Sequence, residues 1–309
     1  MTRIRPYRAE SPSGRRLFGA GDVMQCTACG QPQLSPLPTE QELSSYYATE
    51  YRKGGRYGAD AADLSAFPKD NLYFYNRGAS ITELLRSRVP ATTSGLRILD
   101  VGAGYGHILH MLGLAFPGTH RLAIELSEPC VAHMRQIGVE VMEGTLESEL
   151  PSLNEPFDII VLSHVLEHLL NPVTILGQLR THLRPGGLLY VEVPHVSPDA
   201  LGRYPDSPWA PRHDEPHLTF FGAGELTRVL ERAGLRVQFA ETAGPEYRDV
   251  SALRYRLPAL MPTVRRLVPR GLLQRVRSQG RQVTLAERAP AFYSYGGYRI
   301  WLRSISTPA

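Results

Sequence analysis

One acidic residue and three glycines pose the first chemical question. Asp100, Gly102, Gly104 and Gly106 follow an apolar run in LRILDVGAGYGHIL with the spacing D-x-G-x-G-x-G. A turn built on residues without Cβ atoms bends sharply and lets a ligand come close to the backbone. A dinucleotide fingerprint needs G-x-G-x-x-G, and counted from Gly102 its last position is His107. No G-x-x-x-x-G-K-[ST] phosphate loop occurs. Glu125 closes the next apolar run, RLAIEL, with Leu126 as its last residue. A carboxylate at that strand end can accept hydrogen bonds from both hydroxyls of a ribose. The turn EGTLE then offers Thr145 and Leu146 to line an adenine, and FDIIVLSH brings Ser163 and His164 to another strand end. Tyr105, inside the glycine turn, adds an aromatic face suited to a cationic ligand.

Proton transfer needs a different kind of residue. The stretch PRHDEPHLTFF carries His213, Asp214, Glu215 and His217 in a position to overhang the crevice. Histidine titrates near neutrality, so His217 is the favoured base or substrate contact, with His213 and His164 behind it and an ordinary loop histidine as the competing reading. His164, Glu167 and His168 also spell H-x-x-E-H, and two histidines four apart on a helix could bind zinc. That run directly follows a strand of a nucleoside-binding sheet, however, and no third ligand is signalled. No metal is therefore expected, and Glu167 and His168 read as bracing a helix. Cys26 and Cys29 form a single C-x-x-C, half of a four-ligand zinc site or simply a reduced turn, and no Cys or His precedes them. Cys130 reads as a packing residue.

The elements that position these groups follow from periodicity. From Leu96 onward, the runs LRILDV, RLAIEL, VEVMEG, FDIIVLS and LLYVEV alternate with helical segments, which predicts an α/β fold with a doubly wound, mostly parallel sheet. Near-continuous apolar strands such as IIVLS fit a sheet covered on both faces. Thr39 and Glu42 make a capping box that starts a helix through Tyr46, Tyr47 and Tyr51, whereas residues 1–40 read as a loosely structured entry segment. Residues 71–88 predict a helix leading into the main domain. The expected organisation is an N-terminal extension over 1–70, a nucleoside-binding core over 71–245, an Arg-rich helical insert over 246–290 and a final strand within 291–309.

Composition bounds the function classes. The chain has 309 residues, 42% hydrophobic and 21% charged, an ordinary globular balance with no apolar run long enough to span a membrane. Three cysteines suit a reducing compartment, and MTRIRPYRAE has no apolar region behind it, so the expected location is cytoplasmic. The net charge is +4, but residues 251–282 hold eight arginines and no acidic residue. Nucleic acid is therefore not an expected partner. The basic segment can face a phosphate-bearing substrate, an anionic membrane surface or plain solvent.

The succession LDVGAGYG, IELS, EGTLE, FDIIVLSHVLEHL and LRPGGLLYVEVP resembles the class I S-adenosylmethionine-dependent methyltransferases over roughly residues 71–245 and 291–305. Within them it is similar to the branch that includes ubiquinone-type O-methyltransferases and deoxysugar C-methyltransferases. The resemblance implies a seven-stranded sheet with an antiparallel last strand. It implies S-adenosylmethionine over Gly102 to Gly106 with its ribose on Glu125, and a small-molecule acceptor. Thr145 departs from the Asp often found after the turn glycine, which shifts adenine contacts toward Thr145 and backbone. CTACG followed by PLPTEQELSSYY resembles the second half of the sugar enzymes' N-terminal zinc ribbon. Their Tyr-x-Glu-His is matched only at His217, since Asp214 and Pro216 stand at the other positions, which weakens a carbanion mechanism. The expectation is O-methylation of a sugar or secondary metabolite. The alternatives are C- or N-methylation of a nucleotide sugar or natural-product intermediate, an RNA-modifying enzyme, or a non-catalytic nucleoside-binding protein.

Overall fold

Strand Phe157–Ser163 shows how the chain builds its central layer. Ile159 and Val161 enter one hydrophobic core, while Ile160 and Leu162 enter another. Alternate residues of a strand point to opposite faces, so a strand with the unbroken apolar run Ile159 to Leu162 must lie in a sheet covered on both sides. The computed structural model describes residues 1–6, 21–49, 72–90, 95–195, 217–243 and 301–309. His213, Tyr51 and the Arg-rich segment 251–282 lie outside the described residues.

The N-terminal part forms β1 (Thr2–Pro6), β2 (Asp22–Gln25) and β3 (Pro32–Ser35), an antiparallel sheet in that order. This corrects the expectation of a loosely structured entry segment. The strands have four or five residues, too few to impress an alternation on the sequence. Much of their apolar company also comes from far along the chain. Val23 and Leu34 pack with Leu43, Leu218 and Phe220 in a separate small core. The Leu34 amide donates to Leu218 O at 2.8 Å, and the Phe220 amide donates to Pro32 O at 3.1 Å. Helix α1 (Glu40–Thr49) follows, with the expected capping box in place. The Thr39 amide donates to Glu42 Oε2 at 2.7 Å, and the Glu42 amide donates to Thr39 Oγ1 at 3.3 Å.

The main domain comprises α2 (Leu72–Arg86), β4 (Arg97–Val101), α3 (His107–Ala115), β5 (His120–Glu125), α4 (Glu128–Gln136), β6 (Glu140–Glu143), α5 (Leu146–Glu149), β7 (Phe157–Ser163), α6 (Pro172–Thr181), β8 (Leu183–Pro194), α7 (Ala223–Arg232), β9 (Leu235–Ala243) and β10 (Trp301–Pro308). Seven strands lie in the order β6-β5-β4-β7-β8-β10-β9. Strands β4 to β8 pair in parallel, and β10 runs antiparallel to both its neighbours. The predicted α/β sheet is thus present, with the antiparallel last strand. No helix among the described residues is long and apolar enough to cross a membrane.

The segment after β7 differs from expectation. The spacing of HVLEHLL predicts a helix, but only Leu166–His168 forms a short 3₁₀ turn, and His164 stands at φ 59 in the left-handed region. The Glu167 carbonyl accepts the amides of Leu218 at 2.8 Å and Thr219 at 3.1 Å instead of an amide one helical turn ahead. Pro172 then starts α6 at a position where a missing N–H costs nothing.

Candidate functional site

Three glycines make the turn from β4 into α3, with φ of 63° at Gly102, 57° at Gly104 and 75° at Gly106. Only glycine takes that conformation at no steric cost. Space is short as well: a Cβ on Gly102 would lie 2.7 Å from Val165 Cγ2, and one on Gly106 would lie 2.9 Å from Met134 Cγ. The turn is therefore packed against the segment that follows β7 at Gly102 and against α4 at Gly106.

Glu125, at the end of β5, is tied to this turn. Its Oε2 accepts the Gly104 amide at 2.7 Å, while Oε1 accepts the amides of Leu126 at 3.0 Å and Ser127 at 2.9 Å. Asp100 lies one strand over and is buried. Burial pushes its carboxyl up to about 8, with the Glu125 charge adding and the Arg77 cation opposing. Its Oδ2 has no hydrogen-bond partner. Tyr105 is also buried and meets the rings of His107 and His133 edge-on at 6.4 and 6.0 Å. Burial pushes the His107 imidazole down to about 3, with His133, His110 and Arg77 adding to the effect, so it is neutral near pH 7. Thr145 caps α5, its Oγ1 accepting the Ser148 amide at 3.2 Å, and Leu146 is buried in the core beneath.

Beyond β7 lies a charged network that the sequence does not announce. Arg77, from α2, donates through Nε to Glu192 Oε1 at 2.6 Å and through Nη2 to Ser163 Oγ. Tyr190 donates to Glu192 Oε2 at 2.8 Å. Burial alone would push the Glu192 carboxyl up. The Arg77 charge, the His164 imidazole and the Tyr190 hydroxyl outweigh it and hold Glu192 well below the usual range. His164 lies between two carboxylates, with Nδ1 at 3.2 Å from Glu167 Oε1 and Nε2 at 3.5 Å from Glu192 Oε1. Burial and the Arg77 charge push this imidazole down, but its bonds to Glu167 and Glu192 prevail and raise it above the ordinary histidine value. One signal for Glu192 was present: an acid two residues after Tyr190, on the same face of an apolar strand, must be buried and must be paired. Nothing pointed to Arg77, which is 115 residues away in sequence.

His217 joins this region from the chain segment before α7. Its ring lies 4.9 Å from that of His168 and tilted by 68°. The Tyr47 ring, from α1, meets His168 edge-on at 6.0 Å. The structure thus brings together Asp100, Gly102, Gly104, Gly106, Tyr105 and Glu125 around the glycine turn, and Ser163, His164 and His217 around the neighbouring strand end.

The profile of a family described as a methyltransferase domain matches residues 73–238, more than half of the chain. The chain belongs to this methyltransferase family. It is a class I S-adenosylmethionine-dependent methyltransferase, and S-adenosylmethionine is its cofactor. A ubiquinone biosynthesis O-methyltransferase of Aeromonas salmonicida is 27% identical over 168 residues, covering 51% of this chain and 69% of that protein. The protein of the same name from Dinoroseobacter shibae is 30% identical over 156 residues, covering 47% of this chain and 62% of that one. Among solved structures, the plantazolicin methyltransferase BamL, in complex with a triazolic desmethylPZN analog and SAH, is similar in fold with a TM-score of 0.51. It is 14% identical, and the match covers 86% of this methyltransferase and 93% of BamL.

Proposed function

We propose that this methyltransferase acts on an oxygen of a small molecule, a sugar or other secondary metabolite, with its cofactor held by the glycine turn and Glu125. The oxygen acceptor follows the O-methyltransferase relatives, and the observation that carries the cofactor site is the hydrogen bond of 2.7 Å from the Gly104 amide to Glu125 Oε2. It fixes an acidic acceptor beside a turn that has no Cβ atoms at three positions, at the carboxyl ends of adjacent parallel strands, where ligands of such sheets bind. The donor set fits a nucleoside. Three backbone amides occupy both acceptor sites of Glu125 Oε1 and one of Oε2, and the site left on Oε2 can take a ribose hydroxyl. Tyr105 suits a cationic ligand, and the charge of such a ligand would favour release of the proton that burial keeps on Asp100. Gly102 and Gly106 let the turn close tightly on Val165 and Met134, Leu126 and Thr145 flank the adenine side above the buried Leu146, and Ser163 borders the methionine side.

S-adenosylmethionine supplies a methyl group already activated on a cationic sulfur. The chain's own task is alignment, since methyl transfer proceeds once the acceptor atom stands about 3–3.5 Å from the methyl carbon. His217 contacts the acceptor hydroxyl or takes its proton. His164, bonded between Glu167 and Glu192, positions those carboxylates. His213, outside the described residues, belongs to the same polar stretch.

Titration calorimetry with S-adenosylmethionine and its demethylated product tests the cofactor site. Micromolar binding by the wild type and a loss of ten-fold or more in Glu125→Ala is the expected outcome; equal affinities would remove Glu125 from the site. Radiolabelled methyl transfer to a panel of hydroxylated acceptors tests the reaction. Label stable to N- and C-specific analysis but appearing as a methyl ether is the expected product.

A further inference from the structure

A second chemical feature lies beside the glycine turn. Glu167, His168 and His217 each offer a ligand atom, and these atoms lie within 4.8 Å of one another. Glu167 is 1% exposed. Its Oε1 faces His164 Nδ1 at 3.2 Å and His168 Nε2 at 3.9 Å, while its Oε2 is buried without a hydrogen-bond partner. An unmet carboxylate oxygen in the interior is costly, and a bound cation is one of the few things that satisfies it. Two imidazoles and one carboxylate are the donor set of open, three-ligand sites for zinc and similar transition ions, with positions left for water or substrate.

The surroundings hold these groups as a metal site requires. The amides of Leu218 and Thr219 both bond to the Glu167 carbonyl, which fastens the two ligand-bearing segments together at the backbone. His164 donates to Glu167 and is itself anchored on Glu192, which Arg77 and Tyr190 secure in turn. Such outer hydrogen bonds orient ligands and are a regular part of metal sites. Bonds of about 2.0–2.1 Å place tetrahedral ligand atoms roughly 3.4 Å apart, so the cluster has to contract by about an ångström, within reach of side-chain rotation.

We propose that Glu167, His168 and His217 bind a divalent cation of the zinc type next to the methyl-transfer crevice. Its role rests on the O-methylation reading: the open position takes the acceptor's hydroxyl oxygen. The cation lowers the hydroxyl's pKa so that its proton leaves to water and the electron pair stays on oxygen. His217 is then a ligand, and the cation does the activating. Val165, whose Cγ2 would lie 2.7 Å from a Cβ on Gly102, is the contact between this site and the glycine turn.

The test uses chelator-stripped full-length protein in a Cys26→Ser/Cys29→Ser background, which removes the thiolates as competing ligands. Zinc chloride is titrated by calorimetry, cobalt chloride is followed by visible absorption, and S-adenosylmethionine binding is measured in parallel. One zinc per chain, a cobalt spectrum of four- or five-coordinate type, and an affinity lower by on the order of 100-fold in Glu167→Gln and His217→Ala support the site. His164→Ala should cost about 10–100-fold, as removal of an outer partner does. Circular dichroism and retained cofactor binding show that each variant is folded; should Glu167→Gln fail to fold, His168→Ala replaces it. No zinc bound by a protein that binds the cofactor overturns this proposal and leaves the methyltransferase reading intact. Unchanged zinc affinity in the folded variants overturns it too. Loss of cofactor binding in the unmutated protein would instead sink the reading of the glycine turn.

Discussion

A single carboxyl group at the site, that of Asp100, bears an unfavourable burden that can be measured. It is buried, Oδ2 lacks a donor, and its pKa is pushed up to about 8 from the ordinary 3.8. The folded protein therefore keeps a proton on Asp100 at pH values where the unfolded chain has released it. Stability falls as pH rises from about 4 to about 8, by at most about 1.4 kcal/mol per unit, and levels off on either side. Asp100→Asn removes this dependence. In the cofactor-free protein its melting temperature should gain on the wild type from pH 5 to pH 8, by roughly 2–4 °C for each kcal/mol. Parallel pH profiles for the two proteins would show that Asp100 is ionised in the fold. Glu125, by contrast, has hydrogen-bond donors for both oxygens, three backbone amides in all.

Between elements, the N-terminal sheet has a task that its short strands do not advertise. Leu34 of β3 is buried with Leu218 and Phe220, and the two backbone hydrogen bonds beside it hold the chain that carries His217. Gln31 adds a third bond, Nε2 to Phe220 O at 2.7 Å. Leu34→Ala should cost about 2–5 kcal/mol locally, the usual range for emptying such a position. Hydrogen exchange at the amides of Leu218 and Phe220 should accelerate, while the amides of β4 and β7 keep their protection. Uniform acceleration across all strands would mean that the sheet supports the whole fold and not this segment in particular. Helix α2 acts similarly from the other side: through Arg77 it reaches Glu192 and Ser163 at the ends of β8 and β7.

At the scale of the molecule, the strand order decides where a ligand can sit. From β4 the chain proceeds to β5 and β6 on one side, then crosses to β7 and β8 on the other. Connections leaving in opposite directions open a crevice above β4, and the glycine turn forms its floor. A ligand there would meet groups at the ends of β4, β5 and β7, so its binding energy should stabilise the whole sheet. Demethylated cofactor at about a hundred times its dissociation constant should add about 2.7 kcal/mol and raise the melting temperature by roughly 5–10 °C in a domain of this size. The same concentration should shift Glu125→Ala far less; equal shifts would place the ligand elsewhere.

What the sequence determined by itself is what depends on local pattern. Apolar runs of strand length, glycines at alternate positions, a capping box and an acid at a strand end each carry their meaning within a few residues. They were enough for the α/β sheet, the turn at Gly102 to Gly106 and the place of Glu125. Only the tertiary structure decided what depends on distant partners. Residues 1–40 lacked pattern because β2 and β3 complete their core with Leu218 and Phe220. HVLEH looked helical because spacing cannot show that the Glu167 carbonyl bonds to Leu218 and Thr219. A third ligand for Glu167 and His168 was invisible because His217 is far along the chain, and it arrives only when the N-terminal sheet fixes its segment against the end of β7.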